Sequence, residues 1–476
     1  MDNRGKITVF LCLILSSLLM LGLGVVHIVD LNVAKGKFAM CTRMAVSDVK
    51  AQFNSYIFEN YHILLFDTTC GGLGEAYLEE KINDCIQKNA GREIWVKETM
   101  ISNLTMITDN ECEAFKKQIA DYIPYSACAS VAEHIMERTD GNDGSIPEDI
   151  KLEMDEAEIE VEEAADSGSE NTSDASSENK PEKTHIKDPR NYTNTLDGLK
   201  LMRIIVPDDM EFSDRKLCVD DVISIKYVGI LGSMYSVNNR FDNYEILKED
   251  LDSHSRWKDN ILAAGSETAY ANQMFNCATN RDNNKNSVLN FEQEYLIAGL
   301  TNDYDNLEST AKRIIAIRFP VDYVFLLRDE TRMNKLEALA WSLTFLTAIP
   351  EPVLKYLLAG CWAYAESVAD VRVLLEGKSM AFTKSDKNWI TDLDDLKGTI
   401  ENDFANEKGM SYEDYLMILM TMNTDKVCYR MLDLMQVNTR QVDEEFCIEN
   451  CATGICIDVR GVYENRQFTV RQDGGY

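Results

Sequence analysis

ITVFLCLILSSLLMLGLGVVHIV, running from Ile7 to Val29, carries no charged side chain. As a helix it is about 35 Å long at ~1.5 Å per residue, against a hydrocarbon core of about 30 Å. Arg4 and Lys6 precede it and Asp30 ends it. A cleaved signal peptide shares the basic start and apolar middle, but its middle is about 7–15 residues long and closes on a small-x-small site. His27-Ile28-Val29-Asp30 offers no such site, so the stretch reads as a retained single span.

Beyond it, apolar residues recur at Leu31, Ala34, Phe38, Cys41, Ala45, Val49, Phe53 and Tyr56. Steps of three and four place them on one helical stripe. After Gly36 no glycine or proline interrupts the run before Phe66, so the spacing predicts one long helix that leaves the bilayer and continues into solvent. The stripe needs a cover, either the protein's own domain or a neighbouring subunit. Phe38, Val49 and Phe53 are the candidate contacts to a partner helix.

The 476 residues suffice for two or three domains. Asp and Glu number 80 against 48 Lys and Arg, a net charge of −32. That balance excludes a nucleic-acid partner, whose phosphates call for a basic face, and disfavours lying on an anionic lipid surface. The acidity concentrates between Glu148 and Glu182, where 14 acidic residues meet only Lys151 and Lys180. Residues 145–188, with no aromatic and few apolar side chains, are expected to be an extended, disordered linker. Thirteen cysteines are scattered along the chain; twelve lie outside the apolar run, as disulfides or as buried thiols.

Gly5-Lys6-Ile7-Thr8-Val9-Phe10-Leu11, entering an apolar helix and then an amphipathic one, resembles the amino terminus of TadE- and TadG-type pilin-like proteins of tight-adherence (Flp) pilus systems. Four later blocks resemble a family of uncharacterised Gram-positive surface proteins that accompanies such pilus genes. They are Asn290-Phe291-Glu292-Gln293-Glu294-Tyr295-Leu296-Ile297-Ala298-Gly299, Glu366-Ser367-Val368-Ala369-Asp370-Val371-Arg372, Ser411-Tyr412-Glu413-Asp414-Tyr415-Leu416 and Tyr429-Arg430-Met431-Leu432-Asp433-Leu434. With the amino terminus they span about half the chain. Pilin-type processing uses a glutamate five residues after the glycine. That position is Phe10, and the first glutamate is Glu59. The resemblance therefore implies an accessory protein held in the membrane rather than a polymerising pilin. Flanking charges do not set the orientation, since Arg4 and Lys6 balance Lys35, Lys37 and Arg43. An extracytoplasmic body follows from the resemblance.

Glu75 to Lys88 reads as a helix and Thr99 to Arg138 as mainly helical with a break at Pro124. Leu201 to Val206 reads as a strand, Val222 to Tyr235 as a helix holding Gly229 and Gly232, and Glu292 to Leu300 as a strand or short buried segment. Helices follow at Lys312 to Leu327, Arg332 to Ala348 and from Pro352 to a stop at Gly377. Ser411 with Asp414 forms a capping box, a second short helix starts near Thr424, and Gly454 to Tyr463 and Gln467 to Arg471 alternate as a hairpin.

Signatures of chemistry are sparse. Five histidines are dispersed, with no His-Glu-x-x-His and no Gly-x-Ser-x-Gly. Cys447, Cys451 and Cys456 lack a Cys-x-x-Cys pair, leaving zinc, disulfide and free thiols open. Asp282, Asn284 and Asn286 open like a calcium loop but lack its glycine and final glutamate. Glu366 and Asp370 share a helical face as a surface pair, and Arg372 lies on the apolar stripe as a paired or snorkelling residue.

The expected architecture is α+β and mostly helical: a tail and transmembrane helix (1–30), a helical pilin-like block (31–144), the acidic linker (145–188) and an α+β ectodomain with a helical bundle and hairpin (189–476). The expected function is protein–protein assembly as a pilin-like accessory of a tight-adherence pilus or related secretion apparatus, without catalysis, cofactor or metal. The rival from another class is a cell-envelope enzyme or ligand-sensing ectodomain.

Overall fold

The computed structural model describes residues 3–123, 201–208, 210–228, 265–281, 286–347, 350–394, 409–422 and 424–476. The acidic segment 145–188, Pro124, His134, His185, His254, Gly229, Gly232, Asp282 and Asn284 lie outside the described residues. The chain forms two compact units, one of residues 1–122 with 439–476 and one of 123–438.

The first unit begins with α1 (Asn3–Lys50), a single helix through the apolar run and most of the stripe. From Val9 to Val26 its side chains are uncovered, whereas Ala34, Phe38, Cys41, Ala45, Val46 and Val49 are buried. The stripe thus finds a cover within its own chain. α1 stops at Lys50, short of the expected run to Phe66. Asn54 is the reason: it caps α2 (Ser55–Tyr61), its side chain accepting from Ile57 N at 3.0 Å.

Next come β1 (Phe66–Asp67), α3 (Glu75–Ala90), β2 (Ile94–Met106) and α4 (Asp109–Tyr122). Residues 99–106 are strand, not helix as expected, because β2 finds a partner about 350 residues later. β3 (Cys451–Tyr463) pairs antiparallel with β2 along one edge, and with β4 (Arg466–Gly475) and β1 along the other. Glu464 and Asn465 take positive φ of 45° and 67°, making the tight hairpin turn. The core joins the α1 stripe to Leu78, Ile82 and Ile86 of α3 and to Ile455, Ile457, Val459 and Phe468 of the sheet. Phe38 meets Phe468 edge-on at 5.2 Å. A Cβ at Gly461 falls 2.8 Å from Phe468 and 3.0 Å from Phe38, so only glycine admits that ring pair. The C-terminal 439–476 therefore completes the N-terminal unit rather than the block in which the sequence grouped it.

The second unit is helical where described. α5 (Leu201–Ile205) replaces the expected strand; Arg372 donates to its Ile204 carbonyl at 2.7 Å, satisfying a helix-end acceptor. α6 (Ser224–Val228), α7 (Gly265–Met274) and α8 (Glu292–Ala298) are short, and α8 is a fully buried helix rather than a strand. α9 (Asp303–Arg328), α10 (Glu330–Thr347) and α11 (Glu351–Leu375) pack together around Leu326, Leu336, Leu358, Trp362 and Trp389. α12 (Tyr412–Thr421) begins at the expected capping box, with both Ser411 and Asp414 bonds formed, and α13 (Thr424–Arg440) follows. Taken together the fold is mostly helical with a few antiparallel strands.

Candidate functional site

Three contact residues are legible in the sequence, and the structure places them plainly. Phe38 and Val49 are buried in the core of the first unit, and Phe53 is half-buried against Phe58 at 5.3 Å. They share a helical stripe, but Phe38 and Val49 are committed to their own chain.

The densest polar chemistry lies in the second unit, where sequence reading expected a surface pair. Four-residue spacing stacks Arg318 over Asp322 on α9, and Glu366 over Asp370 on α11. All four side chains are fully buried. Arg318 Nε lies 2.8 Å from Asp370 Oδ2, and its Nη1 donates to the Ala381 and Phe382 carbonyls at 2.9 Å each. Lys384, from the segment after α11, reaches Glu366 Oε1 at 2.5 Å and Asp370 Oδ1 at 2.7 Å. Glu366 also accepts from Ile390 N and Thr391 N at 2.7 and 2.8 Å, while Ser367 Oγ donates to Asp322 Oδ2 at 2.6 Å. Sequence spacing showed the Glu366–Asp370 pair but not its cations. Along the chain Arg318 has only Asp322 within a turn as an acidic neighbour, and Lys384 lies in the irregular segment after α11.

Three carboxylates face two cations in this cluster, and a proton on Asp322 makes the set neutral. The electrostatics agree. Burial pushes the Asp322 carboxyl up to about 7, with Arg318 pulling it down and Asp370 adding to the rise. Burial opposes the charge on Lys384, but Asp370, Glu366 and Asp322 outweigh that and hold its pKa above the ordinary lysine value. Between the ordinary carboxyl value of 3.8 and about 7, the folded chain keeps a proton at Asp322 that the unfolded chain releases. Stability contributed here therefore falls as pH rises through that window, by ~1.4 kcal/mol per pH unit for one proton. Urea unfolding followed by tryptophan emission at pH 4 to 7.5 should show a shallower slope for Asp322→Asn. Equal slopes in the two proteins reject the assignment.

A second polar set surrounds α8. Glu292 accepts from Asn276 N and Asn438 Nδ2 at 2.9 and 2.8 Å; Glu294 accepts from Ala278 N and the Tyr412 hydroxyl, both at 2.9 Å. Tyr295 donates to Asp433 at 2.8 Å, and Asp433 accepts from Ile223 N and Ser224 N at 2.6 and 3.0 Å. Arg430 caps the other end of α8, donating to the Leu296 and Ile297 carbonyls at 2.8 and 2.7 Å. A Cβ at Gly299, whose φ is 71°, falls 2.4 Å from that guanidinium. These carboxylates replace missing secondary structure, supplying acceptors to loop amides that no strand or helix serves. Burial raises Glu294 to about 7.

Arg372 is half-buried and pairs with Glu376, the structural role its position on the stripe implied. The twelve described cysteines are free thiols, Cys447, Cys451 and Cys456 included, and no group of three metal-ligating side chains occurs among the described residues.

What these elements define is a protein with one N-terminal helix long and apolar enough to cross a membrane, a helix-on-sheet unit built on that helix, and a helical unit with a closed ionic interior. The chain belongs to DUF5702, a family of unknown function, whose model matches residues 177–462. Comparison with curated proteins gives no match, nor does comparison with solved structures. The family match contains both polar networks and leaves out α1.

Proposed function

We propose that the chain is a single-pass membrane protein acting by assembly with other envelope subunits, as a pilin-like accessory of a tight-adherence pilus or related secretion apparatus. Its bulk lies outside the cytoplasmic membrane. The observation that carries this reading is α1, bare and apolar in its first half and packed on a sheet in its second. A membrane helix running on into an amphipathic one is what the TadE/TadG-like resemblance implies. The net charge of −32 disfavours nucleic acid as a partner, since phosphates call for a basic face.

Assembly needs a surface, and α1 has one that the stripe does not use. Val33, Met40 and Met44 recur at seven and four, on the side of the helix away from Phe38, and all three are exposed, Met40 at 65 %. They continue the uncovered face of the membrane half. Met40→Glu with Met44→Glu leaves the buried core untouched, so thermal stability should shift little. Co-purification with the ATPase and platform proteins of a tight-adherence apparatus should be lost. Retention of those proteins by the double variant overturns the use of this face. Protease added to intact cells should remove the second unit; full protection rejects the extracytoplasmic placement.

A further inference from the structure

The first unit carries its own marker of where the bilayer surface falls. His27, in the last turns of the apolar run, has Nδ1 3.2 Å from Glu464 Oε2 at the β3–β4 turn. Phe38 meets Phe468, and Lys50 Nζ donates to the Gly475 carbonyl at 2.6 Å. β4 therefore runs beside α1 in the same direction. The lengths agree: about 35 Å of helix from His27 to Lys50, and roughly 37 Å of strand from Glu464 to Gly475. Strand and helix are close to parallel, so the hairpin turn is the end of the sheet nearest the membrane half of α1.

Cover on α1 changes at the same level. Every side chain from Val9 to Val26 is exposed; His27 and Leu31 are half-covered and Ala34 is buried. Register then locates an aromatic residue there. Trp95 pairs with Val462, next to the turn, and Val462 pairs with Gln467. Its neighbours Ile94 and Val96 face the core, whereas Trp95 is 63 % exposed. A large indole on the outer face of a sheet, at the depth where an apolar helix becomes covered, has the amphipathic character of an interfacial anchor.

Resting on the membrane-anchored reading above, we infer that the β3–β4 turn and the start of β2 form a lipid-contacting edge, with Trp95 seated among the headgroups of the membrane that α1 crosses. Exposed charge around it is balanced, Arg92, Lys97 and Arg466 against Glu93, Glu98 and Glu464. The contact is therefore aromatic rather than electrostatic, and it forms on zwitterionic lipid.

The test uses the full chain labelled with 5-fluorotryptophan in phosphatidylcholine nanodiscs, the Trp95→Phe variant identifying the Trp95 fluorine resonance. A gadolinium chelate on the lipid headgroup should broaden that resonance beyond detection, and replacing a third of the lipid by phosphatidylserine should change nothing. Flotation of the same chain with phosphatidylcholine vesicles reports the anchoring separately. A chain that floats but keeps a sharp Trp95 resonance overturns the inference alone. A chain that fails to float overturns the anchoring reading and this inference with it. Broadening that appears only with phosphatidylserine rejects the aromatic account.

Discussion

Arg318→Met should destabilise the second unit by ~3–5 kcal/mol, the cost of stripping one partner from a buried ionic cluster. The guanidinium holds Asp370 and Asp322 and fills the carbonyls of Ala381 and Phe382. Without it, the carboxylates of Glu366 and Asp370 and the protonated Asp322 face Lys384 alone, one negative charge in excess. Methionine matches much of the arginine stem, so the loss reads the charge rather than a cavity. Urea unfolding reports it directly: Trp389 lies 5.7 Å from Lys384, and Trp362 donates to Thr391, which itself bonds Glu366. Arg318→Lys should recover only part of the loss, because an ammonium cannot bridge two carboxylates and two carbonyls in the plane of a guanidinium. Adding Asp370→Leu to Arg318→Met should restore stability relative to the single change, since it removes the stranded charge. A loss below about 1 kcal/mol for Arg318→Met is the size expected of a solvent-screened pair and sinks the closed-cluster account.

The same residues explain what the sequence could and could not disclose. Helical signals that work over three or four residues were legible. The steps from Leu31 to Val49 gave α1 its buried stripe, and Ser411 with Asp414 marked the start of α12. The alternation of Gly454 to Tyr463 and of Gln467 to Arg471 marked the hairpin. Signals that depend on a distant partner were not. Residues Thr99 to Met106 read as helix on their own and are strand because β3 lies beside them. Leu201 to Ile205, a short apolar run, carries no periodicity to separate strand from helix.

Polar residues misled in a more instructive way. Glu292-Gln293-Glu294 opens the stretch read as a strand or short buried segment; it is a helix, and all three polar residues are buried, their carboxylates and amide bonded to loop backbone. The four blocks that carried the family resemblance supply Glu294, Glu366, Asp370, Tyr415, Arg430 and Asp433. They read most directly as the parts that lock the second unit, and they say little about a ligand. Glu366 and Asp370 were visible as a pair, but a pair four apart looks alike on a surface and in a core. Only Lys384 and Arg318, brought in from other segments, decide between the two.

Phe38→Asp should cost the first unit a comparable ~3–5 kcal/mol, the usual range for removing a fully buried aromatic side chain, and more for the carboxylate left among apolar neighbours. Phe38 is sealed between α1 and β4, against Phe468 and under Gly461. Hydrogen exchange should show β3 and β4 amides losing protection, and under the anchoring proposed above the helix from Ile7 to Val29 should still hold the chain on membranes. Phe53→Asp, at a half-buried ring beside Phe58, should cost much less. The two substitutions thus differ in what a lost partner means. Under the proposed assembly, Phe38→Asp should break a complex by breaking the unit, whereas Met40→Glu with Met44→Glu should break it from an intact unit. Should Phe38→Asp abolish partner capture while β3 and β4 stay protected, the stripe faces another subunit in the assembled state, and the packing on β4 belongs only to the free chain.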